Sequence, residues 1–200
     1  MNFNYLRNLK INMLLILILP FSAKAQNILI TYYSESGHTA LLAASVEEGA
    51  RQVPSADVRL LTIDSTRKED LIWADAIIVG SPVHSANIAA KVQEFIRTWP
   101  FQDHELKDKI GAVFVTAGGI SAGEELAQMN LIHTLMVFNM IIVGGPAWDQ
   151  PFGASAVTGE APFNADTEEP VVDERFLKKG YALGERVAKI VKRFSTTNEK

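Results

Sequence analysis

Ser34-Glu35-Ser36-Gly37-His38-Thr39 brings three hydroxyls, a glycine and an imidazole together directly behind the apolar run Ile28-Leu29-Ile30. After Thr39 the apolar spacing becomes helical, through Leu41, Leu42, Ala44, Val46 and Ala50. A buried strand that turns through small polar residues into a helix leaves the first backbone N–H groups unpaired, at the positive end of the helix dipole. Such a turn holds a phosphate without a lysine. The same residues also suit an ordinary capped turn with Thr39 or Ser36 at the N-cap. Neither the Gly-Lys-Ser/Thr of a P-loop nor G-x-G-x-x-G is present, which argues against a Mg-nucleotide hydrolase and the usual dinucleotide fingerprint.

A second candidate is Gly119-Ile120-Ser121-Ala122-Gly123, which matches the G-x-S-x-G nucleophile elbow of hydrolases. That chemistry needs an acid and then a histidine further along the chain. Only Glu124 and Glu125 precede His133, the sole later histidine, and all three fall in one predicted helix, so no triad can form. His133 lies on an apolar helix and is expected to be packed, and His104 sits in a charged stretch. His38 and His84 are the two histidines on loops that face a ligand. No pair has metal-ligand spacing, so no metal site is expected. The chain has no cysteine, which excludes disulfides, thiolate metal sites, cysteine nucleophiles and lipid attached to cysteine.

The elements that must position these groups follow from the apolar pattern. Strands are predicted over 28–33, 58–63, 76–80, 110–116 and 140–143. Helices are predicted after Thr39 and over 65–73, 88–99, 123–138 and 173–194. Five strands alternating with helices give a doubly wound parallel sheet, in which ligands collect beyond the C-terminal strand ends. Three polar loops then share one rim: Ser34 to Thr39, Ser81 to Asn87 and Ala117 to Gly123. The long stretch 144–172 reads as a lid or a subunit arm. Trp99, at a helix end, suits either rim packing or stacking on a ligand.

Both ends of the composition bear on function. Arg7 and Lys10 precede the apolar run Met13 to Leu19, followed by Pro20 and Ala23-Lys24-Ala25. That is the layout of a signal peptide over 1–25, cleaved after Ala25, leaving one domain over 26–200 in an exported, periplasmic protein. The uncharged run is too short for a spanning helix, which needs roughly 20 residues. Without those residues 16 basic side chains face 23 acidic ones, a net charge near −7 that argues against nucleic-acid binding.

Taken together, the motifs resemble the flavodoxin-like family, and within it the tryptophan-repressor-binding protein type of NAD(P)H:quinone oxidoreductase. The matching pieces are Tyr32-Tyr33-Ser34-x-x-Gly37-His38-Thr39, Glu47-x-Gly49-Ala50 and Ala74-Asp75-Ala76-Ile77-Ile78-x-Gly80-Ser81-Pro82. Further on come Asn87, Phe95, Thr116, Gly118, Gly123-Glu124, Met140 to Gly144 and Pro151-Phe152-Gly153-Ala154-Ser155. The resemblance implies a five-stranded sheet of order 2-1-3-4-5 with helices on both faces. It implies FMN, with its phosphate on Ser34, Glu35, Ser36, Gly37, His38 and Thr39. The isoalloxazine would have one edge on Pro82, Val83 and His84 and its other side on Thr116, Ala117, Gly118, Gly119, Ile120 and Ser121. The flavin carries the chemistry in that family, so no acid–base pair is required, and His84 is the one candidate for a catalytic role. NAD(P)H as donor, a quinone as acceptor, and a homodimer or homotetramer are implied as well. The alternatives are an exported electron carrier that serves a redox partner, or a scaffold that has lost its flavin. Three departures stand out. His84-Ser85-Ala86 replace the family's arginine, aromatic residue and glycine. Val137-Phe138-Asn139 replace its His-His-Gly. The insertion that builds the tetramer in many members is short.

Overall fold

Ile28, Leu29 and Ile30 are all fully buried, which a strand achieves only when both its faces are covered. The computed structural model describes residues 25–163 and 169–197, so the expected signal segment, Ala25 apart, lies outside the described residues. In chain order the elements are β1 (Gln26–Tyr32), α1 (His38–Arg51), β2 (Ala56–Thr62), α2 (Lys68–Trp73), β3 (Ala76–His84), β4 (Asn87–Ile88), α3 (Ala90–Ile96), β5 (Ile110–Ala117), α4 (Glu124–Val137), β6 (Ile141–Ile142), β7 (Ala154–Val157) and α5 (Glu174–Thr197). The strands run β2-β1-β3-β5-β6, all parallel, which is the expected doubly wound order.

Because side chains alternate across a strand, the sheet has two separate cores. Ile28, Ile30, Ile78, Ala112 and Phe114 face α1 and α5, against Leu42, Val46, Leu183 and Val187. Leu29, Ile77, Val79, Val113 and Val115 face the other way, against Leu71, Val92, Leu131 and Leu135 from α2, α3 and α4. At the head of α5, Asp173 accepts the Arg175 guanidinium and then its backbone amide. These contacts hold its carboxyl down to about 2.

Five expectations are revised. The fifth strand comes in two pieces on the same edge of β5: β6 pairs with Ile110 and Gly111, and β7 with Phe114 to Ala117. Gly144-Gly145-Pro146 breaks the ladder between them, since proline cannot donate and glycine adds no packing. The 144–172 stretch is therefore not purely a lid or arm, for β7 belongs to the sheet. Next, β3 runs past Gly80 to His84 and pairs back onto β4 as a tight hairpin, with Ser85 and Ala86 both at positive φ (50° and 59°). His133 is exposed rather than packed. Trp99 is buried between Phe95 and Phe138, away from any ligand surface.

Candidate functional site

β1, β3 and β5 are neighbours in the sheet, so the residues after their C-terminal ends converge by topology. Every candidate residue, from Ser34–Thr39 through Pro82–His84 to Thr116–Ser121, lies on this one rim. Pro82, Val83 and His84 sit on the hairpin extension of β3 rather than in a loop. Side chains bind the three segments together. Thr39 and Thr116, both buried, share a 2.7 Å hydroxyl hydrogen bond between the first segment and the third. His84 Nε2 lies 3.2 Å from Glu35 Oε2, across the exposed mouth between the first and second. Ser81, fully buried, accepts the Ala89 amide at 3.0 Å and so fixes the base of the hairpin.

The first segment has the donor geometry that an anion cradle needs. Gly37 is the N-cap of α1, at φ +88°, and neither Ser36 nor Thr39 takes that place. Ser34 supplies the capping oxygen from three residues upstream, accepting the Gly37 amide at 3.1 Å and the Ala40 amide at 3.3 Å. The amides of Ser36, His38 and Thr39 find no acceptor among the described residues. Three unpaired donors at the head of a 14-residue helix match the demands of a phosphate. Ser36 Oγ and His38 Nδ1, 2.9 Å apart, stand beside them.

The third segment supplies a surface rather than a pocket. A methyl group added at Gly118 would meet nothing within 4 Å, so a planar ring can lie against that backbone. Past it, the Ile120 amide donates to Glu160 Oε2 at 2.7 Å and the Ser121 amide to Glu124 Oε1 at 3.1 Å. Glu160 was not among the sequence candidates, and neither was Pro170, whose Cγ would sit 2.7 Å from a Cβ on Gly37. Both come from the stretch after β7, where acids and prolines carry no motif.

Two features lie elsewhere. A cleft of about 710 Å³ lined by Asp75, Lys109, Ile141 and Phe194 opens at the opposite end, beside the starts of β3 and β5. Val137, Phe138 and Asn139 are also at that end, where Asn139 accepts the Asp108 amide just ahead of β5. Their departure from His-His-Gly thus takes nothing from the rim of the same chain. Among the described residues, no group of three His, Asp or Glu side chains is placed to hold a metal ion.

Residues 64–153 match the family model described as NADPH-dependent FMN reductase. An NAD(P)H dehydrogenase (quinone) of Solidesulfovibrio magneticus is 30% identical over 170 residues, 70% of this chain and 83% of that protein. A flavodoxin of Aquifex aeolicus is 34% identical over 123 residues, 58% of this chain and 64% of the flavodoxin's own length. In three dimensions the chain is similar to the WrbA-like flavodoxin of Agrobacterium tumefaciens. The TM-score is 0.70 at 20% identity, covering 84% of this chain and 99% of the other, a likeness of fold.

Proposed function

The chain belongs to the flavodoxin-like family, in its tryptophan-repressor-binding protein type of NAD(P)H:quinone oxidoreductase, and on that premise we propose that it binds FMN across the rim and reduces a quinone with electrons from NAD(P)H. The observation that carries this reading is the cradle at Ser34–Thr39, with its three unpaired amides. In a chain of net negative charge, amide dipoles are what can hold a phosphate dianion. The flavin, once bound, supplies the redox chemistry. Ser34 shapes the cradle, the Thr39–Thr116 pair sets its distance from the ring surface at Gly118, and Pro82 to His84 border the ring's edge.

Purified protein loaded with FMN should lose its visible flavin absorbance on addition of NADH or NADPH and regain it with a benzoquinone. The second reading, a carrier that exchanges electrons with a protein partner, is favoured by the flavodoxin relatives and by the open surface at Gly118. Flavin that resists both nicotinamides yet is reduced photochemically would decide for the carrier.

We also infer a homo-oligomer, formed through α4. Leu126, Met136 and Val137 are more than half exposed, and with Met129 and His133 they fall on one stripe of the helix. The paired change Leu126→Glu and Met136→Glu should lower the molar mass measured by light scattering to that of one chain. An unchanged mass would rule out this face.

A further inference from the structure

We propose that Glu160 lowers the reduction potential of the bound flavin by placing a fixed negative charge beside the ring surface, an inference that rests on the FMN reading above. Its position is built, not incidental. Beyond β7 the chain continues the β5–β7 ladder, with the Thr158 amide donating to Ala117 O and the Gly159 amide to Gly118 O, each at 2.9 Å. That ladder carries residue 160 onto the rim alongside Gly118 to Ser121. The carboxylate then accepts the Ile120 amide at 2.7 Å and lies 2.9 Å from where a Cβ on Gly119 would be. No cation pairs with it among the described residues. The nearest other ionisable group, at the head of α4, is a second acid: Glu124 accepts the Ser121 amide through Oε1, while its buried Oε2 has no partner among the described residues. Two carboxylates, each met among the described residues by a backbone amide alone, therefore border the backbone against which the ring would lie.

The consequence is electrostatic. Two-electron reduction of FMN at neutral pH takes up two electrons and one proton, so the reduced ring carries one more negative charge than the oxidised ring. A nearby carboxylate disfavours that added charge, just as a like charge disfavours ionisation of its neighbour. A ring lying on Gly118 would also shield the Glu160 side chain from water and strengthen the repulsion. Reduced flavin in this site is then a stronger donor to an acceptor and is less readily filled by a nicotinamide.

The test is Glu160→Gln, which keeps an oxygen to accept the Ile120 amide and removes the charge. Redox titration of the FMN-loaded proteins should show a more positive two-electron midpoint in the variant. A reduced form bound about tenfold more tightly relative to the oxidised form corresponds to about 30 mV. Titration of each apoprotein with oxidised FMN should give similar affinities. Equal midpoints in two flavin-loaded proteins would overturn the role of Glu160 and leave the FMN reading intact. So would a variant that weakens oxidised and reduced flavin alike, since that is the signature of a structural contact. A wild-type protein that takes up no FMN would overturn both.

Discussion

Replacing Gly37 with valine is expected to abolish FMN binding, lowering affinity by at least about 100-fold, while the two cores stay intact. Gly37 is held at φ +88°, a conformation that costs an L-residue roughly 1–2 kcal/mol and a β-branched one more. Its Cβ would also meet Pro170 Cγ at 2.7 Å. The loop would escape this strain by turning Gly37 to negative φ. That rotation would redirect the Ser36, His38 and Thr39 amides and break the Ser34 contacts to the Gly37 and Ala40 amides. Each misdirected amide removes a charge-assisted hydrogen bond to phosphate, worth about 1.5–3 kcal/mol, so two of them account for the expected loss. Gly37→Asn should retain more affinity, because asparagine tolerates the left-handed region. Quenching of FMN fluorescence measures both variants. Valine with wild-type affinity would remove the phosphate from this loop.

What could be read from the chain alone was whatever a short window determines. The buried strands announced themselves because Ile28-Leu29-Ile30, Ile77-Ile78-Val79 and Val113-Phe114-Val115 are apolar on both faces. The rim followed, since a parallel sheet has one end where its loops meet. β7 escaped because Ala154-Ser155-Ala156-Val157 is too small and mixed to stand out. It becomes a strand only through its partner, Phe114 to Ala117. His133 was misread because α4 is apolar on most sides, and periodicity cannot say which side is buried when there is little contrast between them. Leu131 and Leu135 face inward while Leu126 and Met136 face outward. Glu160 was invisible for another reason: an acid in an acidic loop gains meaning only from the amide it reaches, and Ile120 is 40 residues away.

The same distinction between local pattern and long-range contact governs the second large effect. Gly184→Val should destabilise the protein by about 3 kcal/mol or more, and the decisive contact is backbone against backbone. A Cβ on Gly184 would lie 1.9 Å from Val46 O and 3.0 Å from the Ala50 nitrogen. One on Gly49 would lie 1.9 Å from Tyr181 O, so the two glycines let α1 and α5 touch from both sides. Helix propensity alone would favour valine by a few tenths of a kcal/mol, which is far too little to offset the overlap. No rotamer relieves a Cβ clash with a carbonyl oxygen, so the helices must separate. Leu42, Val46, Leu183 and Val187 then lose packing in the core they share. For a domain of this size the melting temperature should fall by roughly 6–12 °C. Gly180→Ala is the control: its nearest neighbour is Leu42 Cδ1 at 2.8 Å, the end of a flexible side chain, and its cost should be about 1 kcal/mol or less. Because α1 also presents the cradle at its N-terminus, the valine variant should bind FMN more weakly even where it remains folded. Thermal melts of the two variants that coincide with wild type would show that the helices are not in backbone contact.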